Sequence, residues 1–476
     1  MIFVDREAEF KALKESYSQK RSSLVAVYGR RRIGKTDLIT RFARSMKGSI
    51  YYMATKEGDQ KQLKGLSSLI GLELGDDELA RFGAVDWEAL FLRIKNRPGK
   101  RRILIAIDDF PYLAGSNSAI SSIFQKGWDL YLKDANVMLV LCGSSISMMH
   151  SEVLDYSAPL YQRSTSILEM RPLGIKYALF LNQKLKFEDK MYLYFIFGGI
   201  PAYYSYTEKC SSLSEVISDI FKQGSIFLDE PSTILSEETK NEARYIDILD
   251  LISNGINRTN EIASKAGIQP SNTSRYLDVL ERIGIIGKIF PVTGKQDRRS
   301  KRGIYEIKDN YLRFWFRYIK RNREAINTSG ASTVAKKVAG ELSAIGGIAF
   351  ESFAAELVRL LSGKQLPLLS KVGKWWGKDP NKRASAGQEE IDIVGINEDT
   401  KDILFAECKW TNSKADAALY KELKRKASLV LWNIGTRKDH FAIFSKSGFT
   451  NSLKSIAEEE RVDLFDLGAI EKILAK

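Results

Sequence analysis

The chain has 476 residues, of which 44% are hydrophobic and 28% are charged, and its formal net charge is +14 at pH 7. This composition excludes an intrinsically disordered chain, and the length is that of about three or four domains. The excess of basic residues favours a polyanionic partner such as nucleic acid.

The cysteine and histidine content limits the metal chemistry. Three scattered cysteines (Cys142, Cys210, Cys408) and two histidines (His150, His440) argue against a disulfide framework or a zinc cluster. Oxygen ligands remain, and these suit Mg²⁺ or Mn²⁺. The early acidic residues and the lack of an apolar run of about 20 residues predict neither a secretion signal nor a membrane span, so we expect a cytoplasmic protein without a membrane partner.

The first motif predicts a strand, a phosphate-binding loop and a helix. An apolar run from Leu24 to Tyr28 precedes GRRRIGKT, and a helical pattern follows. Glycines let the backbone wrap around a phosphate, Lys35 would reach the β and γ phosphates, and the Thr36 hydroxyl would bind Mg²⁺. The predicted nucleotide-binding residues of this motif are Gly29, Arg30, Arg31, Arg32, Ile33, Gly34, Lys35, Thr36 and Asp37.

Two further apolar runs end in polar side chains. RRILIAIDDF ends near Asp108 and Asp109, and Asp108 is predicted to hold Mg²⁺ through water. NVMLVLCGSS, from Asn136 to Ser145, ends in hydroxyls that could sense the γ-phosphate. Strands separated by helical stretches predict a parallel sheet with its ligand loops at the carboxyl ends of the strands.

The chain contains five motifs in this order: FVDREAEFKAL, GRRRIGKTDL, IDDFPYL, APLYQRS and FIFGGIPAYY. Together they resemble an ATPase domain found chiefly in archaea, which is related to AAA+ ATPases and grouped with the STAND signalling ATPases. The resemblance implies that residues 3–13 flank the adenine, that a helical lid includes Pro201, and that Arg163 contacts the γ-phosphate in cis or, in a homo-oligomer, in trans. A plain surface arginine is the alternative for Arg163.

The sequence departs from that family at two positions. Asp109 stands where the family usually has a glutamate that orients the attacking water, and Gln162 replaces a glycine common before the arginine. A side chain one methylene shorter leaves that water misplaced. We therefore expect ATP binding with slow hydrolysis.

The middle of the chain predicts a winged helix. Residues 241–308 contain three helical patterns, with a short turn at KAGIQPSN, and then a hairpin. The third helix would expose Arg275, and the hairpin tip carries Arg298, Arg299, Lys301 and Arg302, which suit contacts to DNA phosphates and grooves. Winged helices also serve as protein-docking or rigid connecting modules, so this alternative stays open.

The C-terminal region places carboxylates on a helix and on two strands. GIAFESFAAELVRLL predicts a helix that carries Glu351, and EIDIVGI and DILFAECKW predict a hairpin. Asp392 and Glu407 could converge at one end of the hairpin, and Glu407 shares a face with Lys409. An exposed ion pair between Glu407 and Lys409 would need no function.

These groups have the order that metal-dependent phosphodiester cleavage needs, and they resemble the PD-(D/E)xK nuclease superfamily. Asp392 and Glu407 would bind Mg²⁺ or Mn²⁺, Lys409 would orient water or offset charge, and Glu351 would be an outer ligand or orient Lys409. The run GKWWGK to FAECKW also resembles the domain fused to the same archaeal ATPases. An intact set of acids could still serve only for binding.

The sequence thus predicts a multidomain α/β protein that binds and hydrolyses ATP and acts on nucleic acid, expected to be double-stranded or branched DNA. The alternatives are an ATP-driven remodelling enzyme whose C-terminal domain is a clamp, and an ATP-dependent signalling switch or DNA-binding regulator that cuts nothing. The predicted division is a P-loop ATPase core (1–170), a helical lid (171–235), a winged helix (236–325), a connector (326–346) and a restriction-endonuclease-like domain (347–476).

Overall fold

The computed structural model describes residues 4–99, 101–239, 241–294, 303–380, 382 and 388–475. The chain divides into two units. The N-terminal unit consists of Met1–Leu173, Ile200–Ser205 and Thr233–Lys240, and the C-terminal unit consists of Gly174–Gly199, Tyr206–Ser232 and Asn241–Lys476. The chain therefore passes between the units several times, and the five-part division stays a prediction.

The N-terminal unit is built on a parallel sheet whose strands alternate with helices. Up to residue 173, its elements are α1 (Glu7–Tyr17), β1 (Ser23–Tyr28), α2 (Lys35–Ser45), β2 (Ser49–Met53), α3 (Asp59–Leu74), α4 (Asp77–Phe82), α5 (Trp87–Asn96), β3 (Ile103–Asp108), α6 (Phe110–Ser116), α7 (Ile120–Leu130), β4 (Val137–Gly143), α8 (Ile146–Met149) and β5 (Ser166–Glu169).

The strand order in this sheet is β2-β3-β4-β1-β5, and every pairing is parallel. The central strands β3 and β4 are buried along their whole length, as near-continuous apolar runs in a covered parallel sheet should be. Because parallel strands end at the same edge, the loops after β1, β3 and β4 lie together. The predicted parallel sheet is confirmed.

Short helices follow, and after them comes a group of three helices with a hairpin. From residue 174 to residue 340, the elements are α9 (Ile175–Ala178), α10 (Phe187–Phe197), α11 (Pro201–Tyr206), α12 (Leu213–Phe221), α13 (Glu230–Glu238), α14 (Glu242–Ser253), α15 (Thr259–Ala266), α16 (Pro270–Arg282), β6 (Ile286–Ile289), β7 (Ile304–Ile307), α17 (Asn310–Phe314), α18 (Arg323–Ala325) and α19 (Ala331–Gly340). Strands β6 and β7 pair antiparallel.

The C-terminal unit ends in a mixed sheet with the order β12-β11-β10-β9-β8. The β8–β9 and β9–β10 pairs are antiparallel, whereas β10–β11 and β11–β12 are parallel. Its elements are α20 (Leu342–Leu361), β8 (Lys371–Lys378), β9 (Gln388–Ile396), β10 (Asp402–Lys409), α21 (Ala417–Ser428), β11 (Lys438–Ser445), α22 (Asn451–Glu460), β12 (Asp463–Asp466) and α23 (Leu467–Ala475).

An aromatic cluster around Trp410 joins α20 to the end of β10. The Trp410 ring centre lies 4.8 Å from that of Phe350 and 4.9 Å from that of Phe195, and its indole N–H donates to the Tyr192 hydroxyl at 3.0 Å. Gly346 allows this approach, since a Cβ there would overlap the indole. Gly346 is therefore required where α20 packs against Trp410.

Two general expectations bear on the described residues. No helix among them is long and apolar enough to cross a membrane. Cys142, Cys210 and Cys408 are all free cysteines.

The neighbouring glycines of α20 give a matched test of this packing. Gly346→Ala should destabilise the C-terminal unit by about 1–3 kcal/mol because the added methyl group overpacks against Trp410. Gly347→Ala, whose added methyl group meets no atom within 4 Å, should be neutral or stabilising by up to about 1 kcal/mol through helix propensity. Urea unfolding followed by circular dichroism measures both, and equal midpoints would contradict the described contact.

Candidate functional site

The glycine-rich loop between β1 and α2 has the backbone that phosphate binding needs. Gly34 has a φ of 94° and is the N-cap of α2, an 11-residue helix. Gly29 has a φ of 148°, and a Cβ there would overlap the Met170 carbonyl. The loop therefore leads into the N-terminus of a helix, where backbone N–H groups and the helix dipole favour anions.

Lys35 is held inside this loop. Its side chain is buried, and its ammonium donates to the carbonyl oxygens of Gly29 and Arg30, each at 2.8 Å. Burial lowers the pKa of Lys35, while the neighbouring Cys142 and Asp108 act in the opposite direction. The ammonium thus lies next to the loop to which the sequence assigns the nucleotide phosphates.

Asp108 and Asp109 lie at the end of β3. Asp108 is buried and accepts hydrogen bonds from the Tyr51 hydroxyl at 2.9 Å and the Asp109 N–H at 3.0 Å. Asp109 has a φ of 52° and accepts from the Ser144 hydroxyl at 3.3 Å. Burial and the adjacent Asp108 raise the pKa of Asp109. The carboxyl ends of β3 and β4 therefore lie close together, and a hydrogen bond from the Ser144 hydroxyl to the Asp109 carboxylate joins the residues that follow them.

The remaining residues of the motif have different surroundings. Thr36 is exposed in the first turn of α2, and the Asp37 carboxylate accepts from Arg41 at 2.8 Å. Ile33 is buried, and its carbonyl accepts from Arg6 at 3.0 Å. Thr36 is thus accessible to a bound ion, whereas Asp37 is occupied by an ion pair within its own helix.

Three further residues that were predicted to contact the nucleotide do not lie at the carboxyl ends of β3 and β4. The Arg32 guanidinium lies 5.9 Å from the centre of the Tyr203 ring, and Pro201 is buried at the start of α11. Arg163 forms an ion pair with Asp129 at 2.9 Å. A contact between Arg163 and a γ-phosphate would have to compete with this ion pair, and its predicted role stays a prediction.

Two acidic residues that the sequence analysis missed contact the nucleotide-binding region. The Glu237 carboxylate forms an ion pair with Arg31 of the loop. The Glu238 carboxylate accepts from the backbone N–H groups of Ile146 at 2.7 Å and Ser147 at 2.9 Å. Both lie at the end of α13, more than 200 positions beyond the loop, and no motif in the sequence marks them.

In the C-terminal unit, two strands bring Asp392 and Glu407 together. The antiparallel register of β9 and β10 pairs Ala406 with Ile393, so the next positions, Glu407 and Asp392, are neighbours. The backbone N–H of Cys408 donates to the Asp392 carboxylate at 2.9 Å. The predicted hairpin therefore places both carboxylates at one end.

The two carboxylates share a buried environment. Burial raises the pKa of Asp392 to about 6, and the negative charge of Glu407 acts in the same direction. Burial also raises the pKa of Glu407, against the effect of Lys426. One oxygen of Glu407 accepts from Lys426 at 3.3 Å, and the other is buried without a hydrogen bond. A divalent cation would relieve this arrangement, because it would neutralise both carboxylates and bind the unpaired oxygen.

Glu351 does not have the partner predicted for it. Its carboxylate accepts from Lys374 of β8 at 2.7 Å, and no hydrogen bond or ion pair joins it to Lys409. Burial raises the pKa of Glu351, and Lys374 opposes this effect. Lys374 also lies 3.4 Å from the Glu390 carboxylate. Lys374 lies on β8, the edge strand that follows α20. Glu351 pairs with Lys374 because β8 lies close to α20 in the fold, and the sequence does not show this proximity.

The lysines around Glu407 divide into two kinds. Lys409 makes no side-chain hydrogen bond or ion pair within the described part of the chain, whereas Lys426 of α21 binds Glu407. Lys424 and Arg425 of the same helix also form ion pairs, with Glu460 and with Glu389, among other residues. The basic face of α21 is thus largely paired with acids, and Lys409 keeps its donors available.

Asp392 and Glu407 could supply two carboxylate ligands to Mg²⁺ or Mn²⁺, but not a complete set of ligands. Within the described ranges, no three acidic, histidine or cysteine side chains are close enough to bind one ion together. Mg²⁺ is commonly held by one or two carboxylates, with water and phosphate oxygens completing its shell. Asp392 and Glu407 match this pattern as a pair, and Glu351 is not a third direct ligand.

The predicted DNA contacts are only partly within the described residues. Arg275 is exposed on α16, on the side opposite the buried Leu277 and Leu280. The tip residues Arg298, Arg299, Lys301 and Arg302 lie outside the described residues. An exposed helix and the paired strands β6 and β7 are thus the described parts of this region, and its winged-helix assignment stays a prediction.

Metal binding to the carboxylate pair can be tested through stability. Mn²⁺ should raise the melting temperature of the wild-type protein, because binding to the folded state stabilises it. Asp392→Asn should lose this increase, and without metal it should melt at or above the wild-type temperature, since it removes one of two repelling carboxylates. Differential scanning calorimetry measures both effects.

Glu390→Gln is the control for this test. Glu390 lies two positions from Asp392 on the same strand and is exposed. This variant should keep the full response to Mn²⁺. A full response in Asp392→Asn would show that the ion binds elsewhere, and an equal loss in both variants would show that the loss is not specific to the carboxylate pair.

Comparisons with known proteins agree with this architecture. A family model described as an ATPase domain predominantly from Archaea matches residues 3–206, and one described as archaea bacterial proteins of unknown function matches residues 315–420. The uncharacterized protein MJECL04 of Methanocaldococcus jannaschii is 32% identical over 449 residues, which cover 94% of this chain and 96% of the relative.

Two solved structures are also similar. The Walker-type ATPase PABY2304 of Pyrococcus abyssi aligns with a TM-score of 0.52 at 18% identity, over 66% of this chain and 96% of that one. The ORC2 protein of Aeropyrum pernix, solved as ADPNP–ADP complexes, aligns with a TM-score of 0.39 at 11% identity, over 69% of this chain and 96% of that one. The first likeness shows a shared ATPase fold. By its match along nearly the whole of MJECL04 and its N-terminal ATPase domain, the chain belongs to this predominantly archaeal ATPase family.

Proposed function

We propose that this protein is an ATP-controlled, metal-dependent nuclease that acts on DNA. The observation that carries the proposal is the buried pair Asp392 and Glu407, with one carboxylate oxygen of Glu407 left without a donor. Burying two like charges is unfavourable, and a cation-binding role accounts for it. The net charge of +14 supports a polyanionic substrate.

The ATPase domain supplies the control. The glycine-rich loop and the N-terminus of α2 would bind the phosphates, with Lys35 at the β and γ positions. Thr36 and Asp108 would hold the Mg²⁺ that accompanies the nucleotide. Asp109 would orient the attacking water from a position one methylene further back than a glutamate, so turnover would be slow and the ATP-bound state long-lived.

A covalent link would carry the nucleotide state to the rest of the chain. Glu237 binds Arg31 of the loop, and α13 ends one residue later. Helix α14, the first of the three helices before the hairpin, begins at Glu242. A nucleotide that draws Arg31 to its phosphates would release Glu237, and α13 would pass this change to the helices that follow.

At the carboxylate pair, the reaction would be hydrolysis of a phosphodiester. A metal ion held by Asp392 and Glu407 would polarise the phosphate and lower the pKa of a bound water. The water would lose a proton as its oxygen bonds to phosphorus, the bond from phosphorus to one sugar oxygen would break, and that sugar oxygen would take up a proton from the solvent. Lys409, which makes no side-chain hydrogen bond or ion pair with the described residues, would offset the charge that develops on the phosphate oxygens.

A DNA-binding switch is the second candidate. It is favoured by the absence, within the described residues, of a third side chain that could complete the metal site, and by the aspartate at position 109. In this function ATP is held for long periods, and the mixed sheet only binds nucleic acid. The two candidates differ in whether DNA is cut.

Incubation with plasmid and branched DNA in Mg²⁺ or Mn²⁺, with and without ATP, separates the two functions. The wild-type protein should cut, and Asp392→Ala and Glu407→Ala should lower the rate by at least about 100-fold because each removes a metal ligand. Glu390→Ala should retain activity. Gel electrophoresis measures the products, and cleavage that survives the first two variants would overturn the site. The absence of cleavage under every condition would favour the switch.

The slow hydrolysis of ATP has its own test. Asp109→Glu should raise the turnover by about tenfold or more, because the longer side chain brings the carboxylate to the position from which it orients water. Asp108→Asn should abolish turnover through loss of a predicted Mg²⁺ ligand. Phosphate release measures both variants, and brisk hydrolysis by the wild-type protein would contradict the proposed effect of Asp109.

A further inference from the structure

Two cavities border Asp392, one of the two carboxylates of the pair. Their volumes are about 590 and 600 Å³, and both are lined by Arg313, Glu351, Lys374 and Asp392. Both therefore border the same small set of side chains, which includes one of the two proposed metal ligands. Cavities of this size bury ligands of about the size of a nucleotide.

The hairpin of β6 and β7 forms part of the cavity walls and is fastened to the mixed sheet. The N–H of Val292, which follows β6, donates to the Lys374 carbonyl at 2.9 Å. Val292 is buried in the same apolar core as Trp375 and Ile391. The Glu306 carboxylate of β7 lies 4.0 Å from the Lys374 ammonium. Within the described residues, the hairpin thus forms a wall beside the site, with β7 lining both cavities and β6 lining the first of them.

The size of the cavity limits how much of a substrate it can enclose. A volume of about 590 Å³ suits a nucleotide-sized segment of one unpaired strand. A B-DNA duplex, whose major groove alone is ~12 Å wide, would contact only the open side of such a cavity. Phe290 lines the first cavity and supplies an aromatic surface, the kind of group on which unpaired bases stack.

Arg313 supplies a binding group for a phosphate. Its guanidinium donates to the Ser352 hydroxyl at 3.3 Å and to the Asn310 side chain, and it has no ion pair with any described residue. Burial lowers the pKa of Arg313, and the carboxylate of Glu306 opposes this effect. A guanidinium has five donors in a planar fork that matches two oxygens of a phosphate. Donors therefore remain for a ligand in the cavity.

We infer that the cavities bind a single, unpaired strand of nucleic acid and that Arg313 binds one of its phosphates beside Asp392. The strand belongs to the unpaired part of a branched substrate or to a free single strand. Strand binding is independent of cleavage, but the position of the cut rests on the proposed nuclease function. Arg313 is a binding residue in this arrangement, and the size of the cavity favours an unpaired strand over a duplex.

The test compares how the loss of Arg313 affects two ligands. Fluorescence anisotropy of the full-length protein in EDTA measures affinity for a labelled 15-nucleotide thymidine strand, for the matching RNA strand and for a duplex of equal length. Arg313→Gln should weaken binding of the single strands by about tenfold or more and leave duplex binding within about twofold. The DNA and RNA arms show which sugar the cavity prefers.

Arg321→Gln is the matched control, since it removes the same charge eight positions further on, at an exposed arginine outside both cavities. It should leave single-strand binding unchanged, and circular dichroism should show that both variants fold as the wild type. Unchanged single-strand binding in Arg313→Gln, or an equal loss for duplex and single strand, would overturn the inference.

Cleavage in Mn²⁺ distinguishes failure of the inference from failure of the proposed function. Single strands that are bound through Arg313 but never cut would sink the nuclease and leave the strand-binding cavity intact. A duplex cut in its interior as fast as a single strand would keep the nuclease and contradict the cavity as the route of the substrate. Cleavage restricted to unpaired segments is the result expected if both are right.

Discussion

The register between β9 and β10 is the constraint on which the C-terminal unit and its candidate site both depend. It pairs Ala406 with Ile393, so Glu407 and Asp392 follow side by side. A slip of one residue would turn every side chain of β10 to the opposite face, so Phe405 would leave the apolar cluster that it shares with Ile403 and Val394 for the other buried face of the sheet. The apolar residues that fix the register thereby hold two carboxylates in a position that they would not adopt by themselves.

At both candidate sites, nearby polar and charged groups partly compensate the buried charges. In the C-terminal unit, the Lys426 ammonium and the Cys408 N–H each contact one of the buried carboxylates. In the N-terminal unit, the buried Lys35 lies among loop carbonyls and close to Asp108. Buried charges that are only partly compensated cost stability, and such groups are typical of sites where a charged ligand completes the balance.

The sequence predicted what depends on neighbouring positions along the chain. The phosphate-binding loop is a contiguous motif, so its residue spacing was sufficient to predict it. Asp392 and Glu407 lie on adjacent strands of one hairpin, so the alternation of side chains along each strand was sufficient to predict that they lie close together. The ion pair between Glu351 and Lys374 was not foreseen, because it depends on the packing of α20 on an edge strand, and the predicted role of Glu351 as an outer ligand or as the residue that orients Lys409 stays a prediction. Glu237 and Glu238 were missed because no local sequence pattern predicts their contacts. Glu237 contacts a residue more than 200 positions away, and Glu238 contacts one about 90 positions away.

The interleaving of the two units along the chain limits how genes for such proteins can recombine. Residues 200–205 and 233–240 complete the N-terminal unit, whereas the stretch 206–232 between them belongs to the other unit. A crossover anywhere from residue 174 to residue 240 would leave one unit without part of its own chain. A break in this stretch therefore releases neither unit as a complete piece, and the relative that matches over 94% of this chain and 96% of its own length extends across both units.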